Sequence, residues 1–183
     1  MEHGAESMQS YGNTIMNGLL QTEEHTRAVI ESAAPNIRLA ETDRRVQARM
    51  IRQRRITGDD PLHLSTAISE AVLHQQIGGA RCLKAQLEHV ARLIESHPDT
   101  LEVRVVPFSS TGHAAVGGSS FLLSDFPSGR LPTMLWHETA TSTKLTSTHL
   151  AVREHGIAPA GATSSAFSRE DSLAMIKAAS GDL

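Results

Sequence analysis

Between Ala80 and His97 the apolar residues Leu83, Leu87, Val90, Ala91 and Ile94 fall at i, i+4, i+7, i+8 and i+11. That spacing defines one face of a helix, and the i,i+4 pairs Lys84–Glu88 and Glu88–Arg92 decorate its outside. His97-Pro98-Asp99 stops it. Leu101-Glu102-Val103-Arg104-Val105-Val106 then alternates with a period of two and ends at Pro107, the pattern of a strand with a definite finish.

The remaining elements follow from weaker signals. Thr22 is a good N-cap for a helix to about Ser32, with Glu23 and Glu24 in the first turn where the helix dipole favours anions. A second helix is expected from about Leu39 to Ile56, with the stripe Leu39, Val46, Met50 and exposed Arg44, Arg45, Arg49, Arg52, Arg54 and Arg55. Leu62, Leu64 and Ile68 alternate with His63 and Ser65 as a half-buried strand. Phe121–Leu123, Met134–Trp136 and a short piece near Leu145 read as further strands. A weak helix covers about His149–His155, and Pro159–Ser165 reads as a loop. Ser168 caps a closing helix carrying Leu173 and Ile176. Residues 1–10, polar and small, are expected to be disordered, and residues 11–180 to form one domain. The expected class is α+β: a small mixed or antiparallel sheet, N-terminal helices, one central amphipathic helix and a C-terminal helix.

Composition narrows the function classes. Aromatic residues are only 3%, so the core must be built from Leu, Ile, Val, Ala and Met. A net charge of −3 gives no global attraction to nucleic acid or to an anionic membrane. The single Cys82 excludes an internal disulfide and suits a reducing cytoplasm. No run approaches the ~18 apolar residues of a membrane helix, and the N-terminus lacks the basic start and apolar stretch of a signal peptide. The expected location is the cytoplasm.

Asn17-Gly18-Leu19-Leu20-Gln21-Thr22, followed by Glu23-Glu24-His25-Thr26-Arg27, resembles a "PGLLQT-(E/D)-(aromatic)-AR" signature. Val46-Gln47-Ala48-Arg49 with Arg52-Gln53 resembles "V-x-AR-x-x-RQ". Ile68–Leu73 followed by Ile77-Gly78-Gly79 resembles "L-x-E-x-AL-x-x-x-VGG". Gln86–Val90 resembles "QL-x-HL", and Val103–Phe108 resembles "V-x-VLPF", with Gly112-His113 fitting the "AGAH" that follows. In this order, over residues 11–177, the motifs resemble the C-terminal domain of actinobacterial helix-turn-helix regulators of the XRE type. The resemblance implies a sensing or protein-interaction module, in some members an antitoxin-like partner of a small protein. The few residues before Asn17 leave no room for the DNA-reading bundle, so the expectation is a sensing half standing alone. Three positions depart from the pattern: Asn17 replaces the proline, His25 the aromatic, and His137 the aromatic before the late glutamate.

Candidate chemistry gathers on histidine and carboxylate. Glu70, His113, His137 and Glu138 are the candidate catalytic set, because an imidazole beside a carboxylate can move protons near neutral pH. The bland alternative makes the glutamates turn caps or arginine partners. His137-Glu138 starts like H-E-x-x-H, but Thr141 stands at the second histidine, so no zinc site is expected. Trp136, Phe121 and His25 are candidate ligand contacts, as are Gly117 and Gly118 in the Gly112–Ser120 loop, which could close over a ligand or merely connect. The arginine run reads as a solvated helix face rather than a phosphate track, and Cys82 as a buried small hydrophobe.

The leading expectation is a non-enzymatic domain that takes a small-molecule ligand or a small protein partner, without cofactor, metal, membrane or direct nucleic-acid contact; a homodimer is compatible with it. The alternative is a cofactor-independent cyclase, isomerase or lyase (dehydratase type) of specialised metabolism, using the same pocket for proton transfer.

Overall fold

A computed structural model describes residues 4–33, 38–112, 120–127, 131–138 and 143–183, with positions 138, 155 and 157–160 described by backbone alone. The fold is α+β. The six strands among the described residues are β1 Ser7–Gly12, β2 His63–Ser69, β3 Leu101–Val106, β4 Phe121–Asp125, β5 Met134–Glu138 and β6 Thr143–Thr146. They form one mixed sheet in the order β3-β2-β1-β4-β5-β6. The first three are mutually parallel, and β4, β5 and β6 continue as an antiparallel meander. The helices are α1 Glu23–Ala33, α2 Leu39–Thr57, α3 Ala71–His74, α4 Ala80–Ser96, α5 His149–Ser164 and α6 Arg169–Gly181. None of the described helices is long and apolar enough to cross a membrane.

The two faces of the sheet are covered unequally. On one face Met8, Leu64, Ile68, Leu101, Val103 and Val105 pack with the apolar stripe of α4 and with Ile176 and Ala179 of α6. Leu83, Leu87, Val90 and Ile94 are all at most 2% exposed, as the helical spacing demands. Among the described residues the opposite face is covered chiefly by α5, through small side chains. Ala151, Val152 and Ala162 lie against Tyr11, Ala67, Phe121, Leu123 and Leu135. Alanine buries three carbons fewer than leucine, and each is worth roughly 0.8 kcal/mol, so α5 is the more weakly held layer.

Several expectations are corrected. Residues 7–10 are not disordered; they belong to β1, the strand joining the parallel half of the sheet to the antiparallel half. The alternation was hidden because one inward position is serine. Ser10 Oγ donates to Thr66 Oγ1 at 2.8 Å and accepts from Asn17 Nδ2 at 3.0 Å, so its burial is satisfied. The segment 159–164 is not a loop, since α5 runs through it, held by the sheet contact of Ala162 rather than by local propensity. Leu39 opens α2 yet is 69% exposed, so the apolar stripe of that helix rests on Val46 and Ile56. The outer edge of β3 is closed: Val105 N–H donates to Ser172 Oγ and Val105 O accepts from Phe167 N–H, both at 2.9 Å. This blocks pairing along an edge that would otherwise invite another strand.

Candidate functional site

Where α5 stops short, the sheet is left open and polar. Register places Ser65, Glu102, Arg104 and Gln9 on the α5 side of β2, β3 and β1, next to Ala67 and Tyr11. Together with Thr163 and Ser164 at the C-terminal end of α5, they bound a groove of about 470 Å³ lined by Gln9, Ser10, Ser65, Ala67, Arg104, Thr163 and Ser164. A cavity of this size suits a small molecule. Its electrostatics are set by one internally paired ion couple. Arg104 Nε donates to Glu102 Oε1 at 2.6 Å, and Ser65 Oγ donates to Glu102 Oε2 at 3.1 Å. Both carboxylate oxygens are thereby occupied and the guanidinium is fixed in direction.

Among the described residues, none of those singled out from the sequence lines this groove. Phe121 and His137 are cross-strand partners on the α5 face, where Phe121 stacks on Tyr11 with ring centroids 6.2 Å apart. Trp136 lies on the other face, beside Leu122 and Leu145. Glu70 sits just past β2. His137 is level with Ala67 across two intervening strands, so at ~4.8 Å per strand spacing the backbones of Glu70 and His137 are at least about 14 Å apart. These two members of the candidate set are not brought together. Glu70 instead accepts the Phe108 N–H at 2.6 Å and stands 3.6 Å from His74, whose ring stacks on Phe108. Glu138 pairs through its backbone with Thr143. Its side chain lies outside the described residues, as do His113, Gly117 and Gly118.

His25 lies far from any groove, in the helical layer. It is 3% exposed, with Nδ1 4.0 Å from Cys82 Sγ. Burial, and secondarily the nearby Arg49 charge, lower its pKa from the usual histidine value. The folded state thus holds the neutral ring while the unfolded chain protonates near 6.5. Between that value and the lower folded pKa the unfolded chain carries the extra proton, so stability must fall as pH drops through this window. His89, also lowered by burial and by Arg92, acts in the same direction. We expect His25→Phe to flatten part of this acid limb in urea melts run from pH 7.5 to 5; an unchanged slope would refute the assignment.

Around His25 the signature motifs meet as a polar latch. The turn Gly18–Leu20, opened by Asn17 Oδ1 accepting from Leu19 N–H, is gripped from three sides. Gln21 Nε2 donates to Met16 O at 2.7 Å, and its Oε1 accepts from Arg49 at 2.8 Å and from Thr26 Oγ1 at 3.2 Å. Gln53 Nε2 donates to Gly18 O and Gln21 O. Gln86 Nε2 donates to Leu20 O, and its Oε1 accepts from Thr22 N–H, both at 2.7 Å. Thr22 Oγ1 caps α1 by accepting from His25 N–H.

This latch also draws on the arginine run of α2. Arg49 enters it, Arg45 pairs with Glu41, and Arg55 donates to Ala5 O and Asp60 O. Among the described residues no three His, Cys, Asp or Glu side chains are placed to hold a metal ion.

The groove residues escaped sequence reasoning for a definite reason. Their signal was the polar half of the alternation in β2 and β3, which marks a sheet face not fully covered. No curated protein and no solved structure matches the chain. The motifs do gather into one scaffold, and a family model matches residues 1–178: the chain belongs to the family described as Domain of unknown function (DUF5753).

Proposed function

We propose that the chain is a ligand-sensing domain, related to the C-terminal half of XRE-type regulators, whose small-molecule ligand sits in the groove between β1–β3 and the end of α5. One observation carries this reading. A polar, small-molecule-sized hollow lies where the more weakly held layer meets the sheet. A ligand touching both Arg104 and the Thr163–Ser164 end of α5 would bias how α5 seats, and any difference in affinity between seatings shifts their populations. A protein partner that reads α5 would then register occupancy.

The test is a ligand-observed NMR screen of small polar metabolites against the wild type and Ser164→Trp, a change at an exposed groove wall. Hits are expected to weaken by at least about 10-fold in the variant, about 1.4 kcal/mol. Hits that bind both proteins equally would rule the groove out as their seat.

A further inference from the structure

We infer that the groove selects a small monocarboxylate carrying hydroxyl or amino donors, with Arg104 as its carboxylate anchor. This rests on the reading of the groove as a ligand seat. Arg104 makes one interaction among the described residues, from Nε to Glu102. Its Nη1–Nη2 end, in a residue that lines the hollow, has no hydrogen-bond or ion-pair partner among the described residues. A guanidinium held through Nε and open at its far end presents a fork that matches the two oxygens of a carboxylate.

Charge decides between anions. Glu102 already balances Arg104, and no second cation lines the groove among the described residues. α5 contributes its C-terminal end, whose partial negative charge opposes further anionic charge and favours donors. A phosphate dianion would face one half-neutralised cation and a repelling helix end. A single carboxylate on the fork, with hydroxyl or amino groups toward Thr163 and Ser164, fits both ends. Ser164 Oγ donates to Gly161 O, which leaves its oxygen lone pairs to accept. Gln9, exposed at the groove, can supply either role.

The experiment titrates 4-hydroxybenzoate, 4-hydroxybenzamide, 6-aminohexanoate, 6-aminohexanamide and phenyl phosphate into the ¹⁵N-labelled chain, with Arg104→Lys, Arg104→Gln and Ser164→Trp alongside. The same spectra report whether each variant is folded. At least one carboxylate is expected to shift amides of β1–β3 and the end of α5 and to bind at least about 10-fold tighter than its amide. Arg104→Lys, which keeps the charge but not the fork, should lose that preference, and Arg104→Gln likewise.

Equal binding of acid and amide in the groove, or a preference surviving in Arg104→Lys, would overturn the carboxylate anchor and leave the groove standing. Tighter binding of phenyl phosphate, or no groove shifts by any probe at millimolar concentration, would overturn it too. Shifts confined elsewhere and indifferent to Ser164→Trp would remove the groove reading itself.

Discussion

Replacing Gln86 with leucine is expected to cost about 2–5 kcal/mol of stability, because two backbone groups each lose a partner worth roughly 1–3 kcal/mol when left unsatisfied. Leucine preserves most of the volume at a position only 1% exposed, so the loss isolates the hydrogen bonds from packing. The groups stranded are Leu20 O and Thr22 N–H, on either side of Gln21. For a chain of this length the melting temperature should fall by roughly 5–15 °C. Against a total of about 5–15 kcal/mol for typical proteins, such a loss is large. Calorimetric melts of wild type, Gln86→Leu, Gln53→Leu and the double variant would measure it. If Gln86 and Gln53 grip one turn, their effects should be non-additive by 0.5 kcal/mol or more, the order expected for neighbours in one network. A loss below about 0.5 kcal/mol for Gln86→Leu, the level of an ordinary surface change, would show that the latch is incidental.

That expectation changes how the signature motifs should be read. Gln21, Thr22, Arg49, Gln53 and Gln86 come from three separate motifs, and all of them bind protein backbone or one another. Glu70 belongs to a fourth motif and clamps the Phe108 N–H of a fifth. In this chain the motif residues therefore build the scaffold. Arg104, by contrast, falls on the unspecified position of "V-x-VLPF". The proposed ligand seat thus draws on a position that the motifs leave open, while the motif positions hold the fold.

The same division explains what was legible in advance. α4 and β3 were readable because their apolar residues follow one clean period each, and α1 and α6 because Thr22 and Ser168 cap them. β1 was not, since Ser10 replaces an apolar residue on the inward face and its burial is satisfied only by Thr66 and Asn17, which are distant or local partners invisible to periodicity. The full length of α5 was not, because its burial rests on alanines that carry no strong pattern. The groove needed β1, β2 and β3 to be set side by side, and pairing between partners 56 residues apart (β1 with β2) or 37 apart (β2 with β3) has no local signal. Conspicuous residue types drew attention to His25, Trp136 and Glu70. The structure gives His25 and Glu70 packing and clamping contacts instead.

Gly78 and Gly79 offer a paired test in which both backbones have positive φ while the packing around them differs. The angles are +80° and +91°, and Gly79, with ψ 168°, lies in a region almost reserved for glycine; such strained positions cost a side-chain-bearing residue roughly 1–3 kcal/mol. Around Gly79 an added Cβ meets nothing within 4 Å, so Gly79→Ala should cost only that backbone amount. At Gly78 the same Cβ would stand 2.8 Å from Cys82 Sγ and 3.0 Å from Ala28 Cβ. Cys82 is 1% exposed on the first turn of α4, so its sulfur has little freedom to retreat. Overpacking of this kind adds roughly 1–3 kcal/mol, which brings Gly78→Ala to about 2–6 kcal/mol in total. Cys82→Ala should relieve part of the excess in the double variant, since it removes the nearest atom but leaves Ala28 in place. Urea unfolding of the four proteins decides the matter. Equal losses at the two glycines would mean that the α1–α4 contact yields freely, and that the close approach beneath Gly78 does not constrain how the latch layer seats on the sheet.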